Sequence, residues 1–370
     1  MSHFTVLVAG ILPDNVSAAI TSNPGQALLA MSTEDMEKQM QIHDANMKLL
    51  DSAVWRLVED QLAPYCENVD VLDYLEFCDM TQEGRTQYES ESVDCVRLLD
   101  GKVVPTYDSQ FSNIYELYKG VVYKRSHGQL HHRKRTKKAK QICVLPNYPY
   151  KKLYPSYELF MEEHCGYTFD EQENAYGYYY NPNAKWDWYQ IGGRWPRRFL
   201  VKNDCALAVN GENSLLFKEA PSRNGPDGYK WVAGARKCDI AWDIMKKAFC
   251  EPAVQKYRIY KEWFGAGAVP EKHRDHRITA EGITCWGDLV YHKDETLDDY
   301  LQREGLSEEF KYPFSTFAYV SEAGWEGSGD MGWFGMSYND KDPLAWNCMV
   351  EKFIADLPDN AFLVSVDCHI

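Results

Sequence analysis

The sequence predicts an α+β fold built on a mostly antiparallel sheet. Three observations carry that expectation. Each end of the chain holds a short apolar strand, residues 4–9 and residues 362–369. Residues 312–370 read as strand, turn, strand, helix and strand, a ββαβ unit. A long amphipathic helix, inserted over 11–62, stands between the first strand and the rest of the chain.

Taken in order, the first strand gives way to a loop marked by Pro13 and Asn23-Pro24-Gly25. Ser32 followed by Asp35 makes a capping-box start for the helix 33–62. Met36, Met40, His43, Met47, Leu50, Val54 and Leu57 then recur at alternating four- and three-residue steps, which sets them on one stripe. Pro64 stops the helix. Such a stripe packs on the protein body or, over about three heptads, supports a homo-oligomer; His43 within it reads as a core or boundary histidine. Residues 65–116 are acidic and irregular apart from a hairpin, 93–99 with 102–104, turned by Asp100-Gly101. Residues 124–140 form an exposed basic loop. A short helix over 156–165 leads to the tyrosine-rich 176–180, and further helices are expected over 239–249 and 252–264. Residues 265–277 give no clear element. The closing unit reads as strand 314–320, turn 324–329, strand 331–338, a helix opened by Pro343 and ending near Leu357, and strand 362–369. The whole of 1–370 is expected to form one composite domain, without internal repeats.

Composition bounds the function classes. At 370 residues, 45% apolar and 26% charged, the chain is ordinary for a globular protein. Its aromatic share of 14% is high, which suits large stacking or packing surfaces. No apolar run has the length of a membrane span. The N-terminal segment lacks a basic stretch ahead of its short apolar run, so a cytoplasmic protein is expected. The eleven cysteines are scattered, with none of the paired spacing of a zinc knuckle, and are expected to be reduced and mostly buried. Net charge is −15, yet residues 117–157 contain no acidic side chain. An acidic body thus carries one basic segment, whose Arg125, Arg133, Lys134, Arg135, Lys137 and Lys138 are candidate phosphate contacts, with His131 and His132 beside them.

The segment 181–195, Asn-Pro-Asn-Ala-Lys-Trp-Asp-Trp-Tyr-Gln-Ile-Gly-Gly-Arg-Trp, has the composition of a binding surface. Read as a strand over 184–191, it would set Trp186, Trp188 and Gln190 on one face and Lys185, Asp187 and Tyr189 on the other. One face would offer indoles, the other an ion pair. Gly192-Gly193 would allow a turn with positive φ that returns Arg194 and Trp195 beside the strand. Asn181, Asn183, Lys185, Trp186, Trp188, Arg194 and Trp195 are therefore candidate ligand-binding residues, for an arginine between aromatic rings can grip a carboxylate, a phosphate or a base. A tryptophan-rich core strand is the alternative.

This segment, together with the N-terminal Met-Ser-His-Phe-Thr-Val-Leu-Val, the Gln-Leu-Ala-Pro-Tyr of residues 61–65 and the terminal Val-Asp-Cys-His-Ile, resembles a family of proteins from bacteriophages and bacterial mobile elements that carries no assigned activity. The resemblance spans both ends and the middle. It implies a phage or prophage accessory protein working in a bacterial cytoplasm. Where the family's first strand leads almost directly to Gln-Leu-Ala-Pro, about fifty residues intervene here, which makes the long helix an insertion.

Other motifs are weaker. Asp367 and His369 alternate onto one face of the last strand and Cys368 onto the other, so the three make no triad, although Asp367 and His369 are candidates for acid–base work. The alternative is a histidine capping a sheet edge. Gly327-Ser-Gly329-Asp-Met-Gly332 matches a dinucleotide fingerprint by letter, but a strand follows it where phosphate binding needs a helix N-terminus. His273-Arg-Asp275-His276 would place two imidazoles on one helix face, with no further metal ligand spaced nearby. No metal site and no particular cofactor is therefore expected.

Two functional readings follow. In one, the protein binds a nucleotide, a nucleic acid or a host protein through the Trp/Arg segment and the basic loop. In the other, it is an enzyme acting on a nucleotide or modified base, with Asp187, Arg194, Asp367 and His369 converging from different strands. The enzyme reading fails if the side chains of Asp187 and His369 lie far apart with no shared pocket, and an open cleft containing all four residues would put it ahead of binding.

Overall fold

The structure, a computed structural model, describes residues 2–21, 33–125, 138–213, 225–307, 309–332 and 335–370. It is an α+β protein whose main sheet is mostly antiparallel. The chain divides into two compact units, residues 1–69 with 183–370 and residues 70–182, rather than forming one composite domain. The reason lies in the cores. The 70–182 stretch buries side chains of its own, around Val96, Phe111 and Val122 in one place and around Tyr157, Phe160 and Met161 in another.

The larger unit runs β1 (His3–Gly10), α1 (Asp14–Thr21), α2 (Thr33–Leu62), β2 (Trp188–Gly193), β3 (Gly234–Arg236) and α3 (Trp242–Ala266). It continues with β4 (His276–Ile278), β5 (Gly282–Cys285), β6 (Asp288–His292), α4 (Leu297–Arg303), β7 (Ala318–Ser321), β8 (Gly324–Gly327), α5 (Pro343–Asp356) and β9 (Phe362–His369). Both outer strands lie inside the sheet. β9 runs antiparallel to β1 along its full length, from His3 opposite His369 to Gly10 opposite Phe362. The other edge of β9 is shared: β3 pairs with its start and β2 with its end. β1 pairs on its far side with β7, in parallel, and β8 folds back on β7.

Alternation decides what each face of β1 and β9 meets. Phe4, Val6, Val8, Val364, Val366 and Cys368 point into a core that α2 closes with Leu50, Val54, Val58 and Leu62. Leu7, Ala9 and Leu363 point the other way, under Met245 of α3 and Trp346, Val350 and Ile354 of α5. The long helix covers the span expected, but among its described side chains the buried positions step by four, at Leu50, Val54, Val58 and Leu62. Met40 is 63% exposed and His43 is exposed, so His43 is no boundary histidine. The loop expected after β1 is partly helical. Val16 and Ile20, one turn apart, bury in the α2 core, a pattern too short to read in advance.

The two helices expected over 239–264 are one, with Pro252 inside it. An interior proline costs about 3 kcal/mol. Burial on both sides of it offsets that cost: Met245 sits in the α5 core, and Ala253, Val254, Tyr257 and Tyr260 in a further core with Ile283, Tyr291 and Tyr300. That further core lies under the sheet β4–β5–β6, in a region the sequence left open. In the closing ββαβ unit, α5 starts behind an Asp342 cap with Pro343 in its first turn. The returning strand is β8, earlier than expected. Of 331–338, Met331 and Ser337 pair in a two-residue ladder. Ser328 and Gly329 turn toward that ladder, so the glycine fingerprint opens no helix.

In the smaller unit, Ser92–Arg97 pairs with Val103–Pro105 in the expected hairpin and with Cys143–Pro149. Ser156 caps the short helix that follows, which widens into a π-turn over Phe160–Cys165. Of the basic candidates, Arg125 and Lys138 are exposed, and Arg125 donates from Nε to the Tyr115 carbonyl at 3.0 Å. Arg133, Lys134, Arg135 and Lys137, like His131, His132 and Ser32, lie outside the described residues. None of the eleven cysteines forms a disulfide, and Cys143, Cys238 and Cys348 are exposed rather than buried. No helix among the described residues is long and apolar enough to cross a membrane.

Candidate active site

The face of β1 and β9 that carries Leu7 and Leu363 under the helices changes character along its length. Toward the start of β1 and the end of β9 it presents His3, Thr5, Ser365, Asp367 and His369. Residues opposed across an antiparallel ladder share a face. His3 and Trp188 both stand opposite His369, while Thr5 and Gln190 both stand opposite Asp367. Three strands thus bring two imidazoles, one indole and one carboxylate into two adjacent rows.

The side chains pair across those rows. His3 Nδ1 lies 2.9 Å from Asp367 Oδ1. The Asp367 carboxylate is 1% exposed, and its second oxygen accepts the Arg194 backbone N–H at 2.9 Å. Burying a carboxylate is costly unless its oxygens find hydrogen-bond partners of this kind. His369 Nδ1 lies 2.6 Å from Asp187 Oδ1. The Asp187 N–H donates to the His369 carbonyl at 2.9 Å, which fixes the aspartate beside its histidine. The two imidazoles meet edge to face, 4.9 Å between ring centres and 71° apart in plane. A carboxylate on Nδ1 holds the proton there and leaves Nε2 as the basic nitrogen. His369 Nε2 is enclosed and has no hydrogen-bond partner, as is Arg194 Nε. An orphaned polar atom inside a protein costs about 1–3 kcal/mol, a cost that a catalytic or ligand-binding position explains.

The Gly-Gly turn makes this possible. Gly192 and Gly193 take φ of +78° and +48°, and Trp195 N–H closes the turn on the Gly192 carbonyl at 2.7 Å. A Cβ on Gly193 would fall 2.4 Å from Asp367 Cβ. Only glycine lets the backbone come close enough to present the Arg194 N–H to the carboxylate.

The sequence expectations fare unevenly here. Asp187 meets His369 and the Arg194 backbone meets Asp367, but Asp367 and His369 share β9 where separate strands were expected. The face assignment over 184–191 needs correction, because the ladder begins only at Trp188. Residues 185 and 186 leave it to donate their backbone N–H groups to the Tyr65 carbonyl. Trp186 is buried, its Nε1 donating to the Leu62 carbonyl at 3.1 Å at the end of α2. It packs at right angles against Tyr189, 5.1 Å away, and shares no surface with Trp188, which is 49% exposed. The expected indole platform is therefore a single ring, its centre 6.2 Å from that of His3. The Asp187 carboxylate serves His369, where an ion pair with Lys185 was expected. Asn181 is buried within the smaller unit, Asn183 is exposed, and Lys185 and Trp195 are partly buried.

His369 does not cap an edge, since β9 has neighbours on both sides. His3 was missed. Two signals could have found it: the polar His3 and Thr5 alternate with Phe4 and Val6, and a first strand paired antiparallel to the last would bring residue 3 to the level of residue 369. A concavity of about 1110 Å³ lies away from the sheet end, beside Asp275, Arg277 and Trp286. Volume alone supplies no chemistry, whereas the paired contacts at the sheet end do. In comparisons with known proteins, no protein-family model, no curated protein and no solved structure matches the chain.

Proposed function

We propose that the end of the central sheet is an acid–base active site acting on a phosphodiester of a nucleotide or oligonucleotide. The observation that carries this reading is the pair of carboxylate-held imidazoles, His3 with Asp367 and His369 with Asp187, 4.9 Å apart. Two such imidazoles can divide the work of a displacement at phosphorus. The neutral ring takes the proton from an attacking water as its oxygen bonds to phosphorus. The protonated ring gives its proton to the departing ester oxygen as the P–O bond breaks. Asp187 and Asp367 orient the rings and stabilise whichever is charged. Arg194, fixed by its backbone to Asp367, supplies positive charge for the phosphoryl oxygens. Trp188, half exposed beside His3, supplies a flat surface for a base. A phage protein working on nucleotides or their polymers in a bacterial host is the setting that the family resemblance suggests.

The test is turnover of nucleoside 2′,3′-cyclic phosphates and of a dinucleotide by the full chain. A bell-shaped pH–rate profile is expected, with one limb lost in His3→Ala and the other in His369→Ala. Binding without turnover, abolished by Trp188→Ala or Arg194→Ala, would return the protein to the class of nucleotide-binding factors. Wild-type rates in both histidine variants would sink the assignment.

A further inference from the structure

A second cluster, in β4 and β5 of the same unit, is built differently. Glu271–His273 forms one helical turn, and β4 starts three residues later at His276. The two imidazoles therefore do not share a helix face. They flank the Trp263 ring of α3, with ring centres 4.8 and 5.7 Å away. One ligand atom each from His273, Asp275 and His276 lie within 4.8 Å of one another. The next ligand is absent from the local spacing because it comes from the neighbouring strand. Cys285 stands opposite His276 in the ladder, so it shares that face, and its Sγ–H donates to Asp275 Oδ2 at 3.4 Å.

We infer that His273, Asp275, His276 and Cys285 bind a zinc-class divalent transition metal in a four-ligand site. Two imidazoles, one thiolate and one carboxylate are the soft-to-borderline donor set such an ion selects, and four protein ligands suit a tetrahedral structural site. His276 is already oriented for it. Its Nδ1 lies 3.1 Å from Asp275 Oδ1, while its Nε2 meets the Tyr260 hydroxyl at 3.4 Å. Nδ1 is thus the ligating nitrogen, and Tyr260 is the outer partner that holds the ring. The His273, Asp275 and His276 ligand atoms, spread over as much as 4.8 Å, must draw together by about 1 Å, and the Cys285 thiol, which lies outside that group, must swing in from Asp275, to meet metal–ligand bonds near 2.0–2.3 Å. Glu271, Lys272 and Arg274 of the turn that carries His273 are exposed, and that turn would make the movement. Binding replaces the Cys285 thiol proton with the metal, releasing the proton to solvent. The ion ties the 271–275 turn to β5 beside the concavity lined by Asp275, Arg277 and Trp286.

The experiment is titration of chelator-treated full-length protein with Co²⁺ and Zn²⁺. One ion per chain is expected, with visible cobalt bands of tetrahedral type and a thiolate-to-cobalt charge-transfer band that Zn²⁺ removes by competition. Cys285→Ser should lose the charge-transfer band. His276→Ala, shown to be folded by circular dichroism, should weaken binding at least 100-fold, and His273→Ala gives the same readout if His276→Ala unfolds. The His3→Ala/His369→Ala double variant should bind as wild type. No stoichiometric cobalt on wild type, or cobalt that survives His276→Ala or is lost from the double variant, would overturn the inference.

Discussion

The sheet end and the β4–β5 cluster each hold two imidazoles in edge-to-face contact, yet they arrange their carboxylates in opposite ways. At the sheet end each imidazole has a carboxylate of its own, Asp367 for His3 and Asp187 for His369. Each ring is gripped at Nδ1 and turned so that Nε2 is its working atom. In the other cluster one carboxylate, Asp275, is shared: its oxygens lie near both imidazoles and accept from the Cys285 thiol. Separate carboxylates prepare rings to exchange protons, and a shared one prepares them to hold a cation. Residue type is nearly the same in the two places; the ladder register makes the difference.

The largest effect expected from this contrast is on turnover. His3→Ala and His369→Ala should each lower kcat by roughly 10²–10⁴-fold on a phosphodiester substrate, while His276→Ala leaves kcat within about two-fold. Equal losses from all three variants would erase the distinction. Next comes Gly193→Ala, whose added methyl would overlap the Asp367 carboxylate at a φ of +48°. It should cost about 1–3 kcal/mol in denaturant unfolding and lower turnover beyond that loss of stability, because the carboxylate is pushed from His3. Unchanged kinetics in a folded variant would show that the grip of Asp367 on His3 is dispensable.

The two tryptophans at positions 186 and 188 sharpen the same point. Trp186→Phe strips the Leu62 carbonyl of its donor inside the core and should destabilise by about 1–3 kcal/mol. Trp188→Ala should stay within about 0.5 kcal/mol of wild type and raise KM instead. The reverse pattern in thermal melts would show that the wrong indole has been taken for the substrate surface.

The smallest effect concerns an imidazole without any carboxylate. His164, in the smaller unit, is packed among the rings of Tyr107, Tyr150, Tyr154 and Phe160, and its Nδ1 meets the Tyr107 hydroxyl at 3.1 Å. Burial pushes its pKa below the ordinary histidine value. The unfolded chain therefore binds the proton more readily, and stability falls as pH drops below about 6.5 toward the depressed value. Above that range the contribution is complete. Replacing His164 with Phe should flatten this part of the stability profile measured by urea unfolding, and a profile that stays as steep would refute the burial argument.

The sequence made local periodicity legible and left register hidden. α2, α5, β1 and β9 could be read because each carries enough apolar positions at one spacing. The break inside 184–191 could not, because the Tyr65 carbonyl that draws residues 185 and 186 out of line is 120 positions away. Pro252 misled for a similar reason, since two separate cores hold the helix together across it. At the sheet end, Asp187, Arg194, Asp367 and His369 stood out as chemistry-bearing residues. Their partners did not, as no short-range pattern says that residue 3 is level with residue 369, or residue 285 with residue 276. The basic run beyond Arg125, prominent as composition, lies mostly outside the described residues.

His3 and Asp367 are separated by 364 positions. Closing a loop of that length is entropically slow, and the contact is complete only when β9 has docked between β1 and β2. Catalytic competence should therefore be the last property regained on refolding, after fluorescence and helical signal have recovered. The lag between them would time the docking of β9.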